Sequence, residues 1–405
     1  MITTTPNLEL TKDSTDEFYD VTRVNANMDK IDAAVADKAN KSELPNIHKN
    51  PAATTGDIID THLTVGAARA EGTIGSGSFV SGGMYGGNLA SGINSAASGG
   101  NENTASGLNA AVTGGNDNTS KAANGVITGG AHNLIDNTSE NSNSSAIVGG
   151  EYNTADGFAA AVVGGIGCKA SSYQSVTGKY NAPQAGPASA EDVDGSLFMV
   201  GDGTSSTATS NAFRISAAGV CYGTSSFRTS GADFAEFFEW LDGNPNNEDR
   251  RGLLVTLDGE KIKLANVDDD YILGAVSSTP TVTGDTYSEI WHGMYKKDVF
   301  GADLIETVEV EEKTDEETGE AIPAHTEKRF VLNPDYDPTK EYVSRDERPE
   351  WAAVGVVGKL VVVDDGTCEP NGYCAPSQNG IVTAAETGYR VLSRIDDTHV
   401  KILVR

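Results

Sequence analysis

The sequence predicts a mainly β protein, with a short coiled-coil helix first, a repetitive β shaft next and a globular mainly-β domain last. Three observations carry this reading. Gly-Gly pairs recur at a nearly fixed interval through the middle of the chain. Apolar residues ahead of them step by three and four, the spacing of a helical seam. Aromatic residues and Leu/Val runs, scarce until then, become frequent from Asp233 onward. The organisation that follows is an N-terminal segment over 1–60, a shaft over 61–190, a neck over 191–230 and a terminal domain over 231–405.

In the first segment, Val21, Val24, Met28, Ile31 and Val35 follow at steps of 3, 4, 3 and 4. These are the a and d positions of a coiled coil. Two heptads are marginal alone in water, so the seam needs neighbouring chains already held together downstream. The alternative is one amphipathic helix packed on its own domain. The stretch "NKSELPNIHKNPAATTGD" has two prolines and little periodicity, and reads as a linker.

The middle is poor in large apolar groups and cannot build an ordinary core. Disorder is the alternative for such a composition, but the period argues for structure. Gly-Gly pairs stand at 99–100, 114–115, 129–130, 149–150 and 164–165, spaced by 15, 15, 20 and 15 residues. Small or β-branched residues precede each pair and Asn commonly follows three places later, as in "AASGGNEN" and "AVTGGNDN". Each repeat reads as a short strand, a turn that needs φ > 0, and another short strand. The longer interval holds "IDNTSENSNSS", a loop insertion on one face. A coil this thin buries little, so several chains wound side by side are expected. The pattern resembles the left-handed β-roll of trimeric adhesin heads, found also in phage tail-fibre shafts. Beyond it, "NAFRISAAGVCYG" alternates around Gly219 as a β-hairpin would.

Charge and cysteines narrow the function. The net charge of −29 opposes nucleic-acid binding, which needs clustered Lys and Arg. The N-terminal residues show neither the basic nor the apolar part of a signal peptide, so synthesis in a host cytoplasm without export is expected. No run of about 18 apolar residues would cross a membrane. Cys168, Cys221, Cys368 and Cys374 form no C-x-x-C motif and are expected to be reduced and buried, with a Cys368–Cys374 bridge as the alternative.

"TSGADFAEFFEW", residues 229–240, sets Asp233, Glu236 and Glu239 among Phe234, Phe237, Phe238 and Trp240 where the composition changes. Two carboxylates held together in apolar surroundings cannot both ionise freely, which makes an acid and a base. On a helix Asp233 and Glu236 would share a face; on a strand, which the residues favour, they point apart. On local residues alone the stretch also reads as a first strand with its carboxylates in solvent.

The wider sequence adds a resemblance. "SGADFAEFFEWLDGNP", "GLLVTLDGEKIKLANVDDDYILGAVSSTP", "WHGMYKKDVFG", "NPDYDPTKEYVSRDERPEWAAVGVVGKLVVVDDGTC" and "GYRVLSRIDDTHVKILVR" occur in that order over about 230–405. Together they resemble the intramolecular-chaperone autocleavage domain, glutamic-peptidase-like, of phage tail and pre-neck appendage proteins. The resemblance implies a trimeric domain that guides folding of the fibre before it and then cuts itself off, through an Asp and a Glu in a D-x-x-E arrangement. Asp233 and Glu236 are the matching positions and Ala232–Asp233 the scissile bond. Glu236 would activate water, and Asp233 would polarise or protonate the bond it flanks. Ala232 brings no hydroxyl for acyl transfer. The resemblance also implies a particle component, with a homotrimeric self-partner, tail or baseplate proteins at the N-terminus, and a host cell-surface receptor for which a glycan is one candidate.

The remaining features read quietly. "VDDD" at 267–270 and "VDDGT" at 363–367 lack the alternating oxygens and glycine pivot of a Ca²⁺ loop and are expected to be solvated turns. No cofactor or metal is expected. "VEVEEKTDEETGEAIPAHTEKRF" reads as a charged hairpin turning near Gly319. Trp291, Tyr295 and Trp351 are core aromatics or, alternatively, a carbohydrate platform. There is no HExxH or GxSxG motif for an independent hydrolase. Two rival readings are a bacterial surface adhesin, which would need an export signal and membrane anchor, and a glycan-degrading tail spike. The latter would need paired carboxylates on the shaft, which offers scattered Glu102, Asp117 and Glu151.

Overall fold

The structure, a computed structural model, describes residues 3–4, 11–12, 29–31, 47–48, 63–65, 74–81, 87–136, 143–286, 293–314, 321–339, 341 and 343–405. It is mainly β. Residues 29–31 are helical; the other heptad positions, Val21, Val24, Met28 and Val35, lie outside the described residues. The chain divides into two units: Met1–Thr224 with Thr307–Lys328, and Ser225–Glu306 with Arg329–Arg405.

In the first unit the sequence period becomes a strand register. Thr119–Ser120 pairs in parallel with Thr104–Ala105 on one side and Leu134–Ile135 on the other, each 15 residues away. Across the longer interval the partner is 20 residues away: Leu134 faces Thr154, and Val126 faces Ala146. Each coil therefore gives one two-residue strand to each of two parallel ladders. The interior is a column of Ala97, Val112, Ile127, Ile147, Val162 and Val176, every one fully buried.

A second column is polar. Asn88, Asn103, Asn118, Asn133 and Asn153 are buried one above another. The Asn118 amide donates to Asn103 Oδ1 at 3.0 Å and to the carbonyls of Gly114 and Gly130 at 3.1 and 2.9 Å. Its own Oδ1 accepts the Asn133 backbone N–H at 3.1 Å. Buried polar groups are tolerable only when paired like this. Cys168 takes the next rung, donating its backbone N–H to Asn153 Oδ1 at 2.9 Å. Close stacking also requires the second glycine of each pair. At Gly115, φ is +91° and a Cβ would lie 2.1 Å from the Gly130 carbonyl oxygen.

The longer ladder continues through Ser175–Lys179 to Ser196–Asp202, then turns antiparallel through Asn211–Ser216 and Cys221–Gly223. The expected hairpin around Gly219 is present, with φ +80° at that glycine. The charged hairpin pairs Ile305–Val310 with His325–Phe330; the Gly319 turn lies outside the described residues. Its 307–328 portion packs within the first unit. The Val193 N–H donates to the Lys328 carbonyl at 2.7 Å, and Lys328 N–H to Asp192 Oδ1 at 3.0 Å. Fully buried Glu327 accepts from Ser189 Oγ and lies 3.1 Å from His325 Nε2.

The second unit is built on a ten-stranded sheet: β1 (Asp233–Glu239), β2 (Leu254–Asp258), β3 (Lys261–Leu264), β4 (Gly274–Val276), β5 (Val282–Gly284), β6 (Trp351–Val363), β7 (Tyr373–Pro376), β8 (Val382–Ala385), β9 (Tyr389–Asp396) and β10 (His399–Val404). The main path runs β3-β2-β4-β6-β10-β9-β7-β8, with β1 paired to β5 and β6. β6 is 13 residues long and joins β1, β4 and β10. One core gathers Leu254, Leu360, Val362, Val400 and Ile402; another forms around Trp240, Val255, Ile262 and Val354.

Two expectations change here. Cys168, Cys368 and Cys374 are buried free thiols, but Cys221, on the end strand of the longer ladder, is exposed. Asp364 is not in a solvated turn: it is 3% exposed and ion-paired to Arg394 at 2.7 Å, since burial of a carboxylate demands a partner. Tyr295 packs its ring on Phe330 with centroids 4.8 Å apart, and the Trp351 ring lies under Arg345 at 3.7 Å. Trp291 lies outside the described residues.

Candidate functional site

The acid-rich stretch forms β1, a strand as its residues favour. Asp233 and Ala235 are buried, while Phe234 and Glu236 are exposed. Successive strand residues face opposite ways, so Asp233 and Glu236 do not meet within one chain. Glu239 is ion-paired with Lys261 at 2.7 Å. The aromatic residues expected to desolvate the acids do not surround Asp233; Phe234 is 53% exposed on the other face.

What encloses Asp233 is β6. Asp233 faces Gly358 across the ladder, and the pairing slips between Phe234 and Ala235, which face Val357 and Gly355. Such a slip is a bulge that re-aims the backbone. A Cβ on Gly355 would lie 2.8 Å from Asp233 Oδ2. That oxygen is buried and, among the described residues, has no hydrogen-bond partner. A buried carboxylate oxygen left unpaired is costly, and such groups concentrate where chemistry needs them.

The Ala232–Asp233 peptide is itself fixed on both sides. The Lys359 N–H donates to the Ala232 carbonyl at 3.1 Å, and the Thr281 N–H to the Asp233 carbonyl at 2.7 Å. A cleft of about 420 Å³ reaches the bond, lined by Ser230, Ala232, Asp233, Ser277, Thr279 and His399 among others. Water therefore has access to a peptide flanked by a carboxylate and held by a backbone donor. Gly355, Gly358 and Lys359 carry no catalytic motif in the sequence that would single them out. The available signal was "VGVVGKL", two glycines inside a Val-rich strand, which mark a bulge or a close backbone approach. Among the described residues no cluster of three His, Cys, Asp or Glu could hold a metal ion.

Residues 145–400 match the family model Peptidase_G2, the IMC autoproteolytic cleavage domain. The chain belongs to this family. The relatives it resembles are named for phage. A pre-neck appendage protein of Bacillus phage B103 is 37% identical over 158 residues, 39% of this chain and 16% of that protein. The putative phage-related protein YobO of Bacillus subtilis (strain 168) is 40% identical over 38% of this chain and 18% of its own length. The Peptidase_G2 chain thus matches less than a fifth of the length of each of these relatives. The crystal structure of the pre-mature bacteriophage phi29 gene product 12 shares the fold. Its TM-score is 0.52 at 20% identity, over 84% of this chain and 39% of that one.

Proposed function

We propose that this Peptidase_G2 chain is a component of a phage or phage-tail-like particle, a homotrimeric appendage whose terminal domain (231–405) assembles the trimer and then cuts the Ala232–Asp233 bond. The observation that carries the reading is the buried, partnerless Oδ2 of Asp233 beside a peptide with water access and a backbone donor on its carbonyl. Asp233 handles the proton at its own amide nitrogen. Glu236, on the opposite face of β1, acts as general base at the bond of a neighbouring copy.

Trimerisation has its own support. Ile93, Leu108, Val148 and Val163 stay 48–56% exposed along a coil too thin to bury them. Laying copies side by side covers such residues. Non-local pairing between chains is slow, and a trimerising domain raises the effective concentration of the shafts and sets their register. Cleavage afterwards makes assembly irreversible. The segment over 1–60 docks on tail or baseplate proteins, and the shaft (61–190) and neck (191–230) present the surface for a host receptor, glycans included.

Intact mass of purified wild type, Asp233→Ala and Glu236→Ala tests the reading. Wild type yields fragments that meet at 232/233 and both variants stay whole. A wild-type chain that stays at full length in a trimer defeats the cleavage assignment.

A further inference from the structure

The Ala232–Asp233 peptide is pinched by β6 in a way ordinary pairing does not require. Gly358 has φ +127°, and a Cβ there would lie 2.4 Å from the Ala232 carbonyl oxygen and 2.6 Å from the Asp233 Cα. Only glycine lets the strands come this close. The next N–H, that of Lys359, thereby reaches 3.1 Å from the same oxygen. Two residues upstream the register slips, with Gly355 against Asp233 Oδ2. Bulge, glycine and donor converge on one carbonyl.

We propose that the Gly358–Lys359 peptide is the electrophilic half of the cleavage site, its N–H holding the oxyanion that forms on Ala232. This rests on the self-cleavage reading above. Water adds to the Ala232 carbonyl carbon and the π pair moves onto oxygen. The water's proton passes through a carboxylate to the Asp233 nitrogen. Collapse re-forms the carbonyl and breaks the C–N bond, leaving a carboxylic acid on Ala232 and an amine on Asp233. The acid's proton then passes to that amine, giving a carboxylate and an ammonium. In the resting chain the Lys359 bond is neutral. In the intermediate it is charge-assisted and stronger, and that difference accelerates the reaction. A donor of this kind is worth about 100-fold in rate.

The test replaces Lys359 by its α-hydroxy acid analogue, which turns the N–H into an ester oxygen and leaves every side chain in place. Gly358→Ala is the second variant. Gly366→Ala is the control, because Gly366 also has positive φ (+94°) but its Cβ would come no closer than 3.8 Å to any neighbour. Fragment appearance is followed by intact mass, and folding by circular dichroism and melting. The ester slows cutting about 100-fold in a folded protein, Gly358→Ala abolishes it, and Gly366→Ala cuts at the wild-type rate. An ester chain that folds and cuts at full rate overturns the proposal while leaving self-cleavage standing. A wild-type chain that never cuts removes both. If Gly358→Ala fails to fold, the ester decides.

Discussion

Asp233 and Glu236 stand three residues apart on one strand and face opposite ways. Asp233 is 3% exposed with an unpaired carboxylate oxygen, and Glu236 lies in solvent, its Cγ where it would be 3.1 Å from a Cβ on Gly284. If one cut needs both, the two must come from different copies. Co-expression of Asp233→Ala chains with Glu236→Ala chains of different mass separates the cases. The Glu236→Ala chain keeps its own Asp233 and borrows Glu236 from its neighbour, so it is cut in the mixture and whole alone. The Asp233→Ala chain stays whole in both. If no chain is cut in mixed trimers, Glu236 acts within its own copy after a rearrangement of β1.

The shaft makes a stability prediction with a built-in control. Gly115→Ala places a Cβ 2.1 Å from the Gly130 carbonyl, whereas a Cβ on Gly114 meets nothing within 4 Å. Gly115→Ala therefore lowers the melting temperature of the shaft and Gly114→Ala leaves it near wild type. Asn118→Ala strands the Asn133 N–H and the Gly114 carbonyl, while the Gly130 carbonyl keeps the Asn116 N–H, and costs about 2–3 kcal/mol in urea unfolding. Equal melting of the two glycine variants would contradict this account of the stacking.

The repeat region was the most legible part because its physics is periodic. The spacing of the Gly-Gly pairs became the strand register, including the 20-residue step between Leu134 and Thr154. The polar column was half legible: the recurring Asn was visible, its burial was not, because Asn after Gly-Gly also suits an exposed turn. In the terminal domain the strand character of residues 233–239 was readable in the sequence, and so was the conflict with a one-face dyad. The enclosure of Asp233 was not, because β6 lies more than a hundred residues away and local pattern carries no pairing information. Asp364 was missed for the same reason, its partner Arg394 coming from another strand.

The cysteines separate by burial. Cys221 is exposed, and burial pushes Cys168 and Cys368 above the usual thiol range and Cys374 up to about 11. The thiolate is the reactive form. Iodoacetamide at pH 8 therefore modifies one site, Cys221, in the native protein, and four after unfolding. Two adducts after unfolding, with the other two appearing only on reduction, would mean that Cys368 and Cys374 are bridged.

His325 gives the hairpin a pH dependence of definite sign. Its Nδ1 lies 2.9 Å from the Pro323 carbonyl and its Nε2 3.1 Å from Glu327, whose side chain is fully buried and also accepts from Ser189. The Pro323 carbonyl foremost, then Glu327 and Asp192, hold the imidazolium above its ordinary range against the opposing effect of burial. A group whose folded value is raised stabilises the fold fully below its unfolded value, about 6.5, and the contribution disappears as pH rises through the folded value. Lys328 stays paired with Asp194 throughout this window and does not reverse the sign. The first unit therefore loses stability between about pH 6.5 and the folded value, and His325→Gln removes that dependence. Titration of the His325 ring signal by NMR, beside melting curves at pH 5.5 and 8.5, checks both halves. A ring value at or below 6.5 would refute the assignment, because Glu327 would then be held by Ser189 without help from the imidazolium.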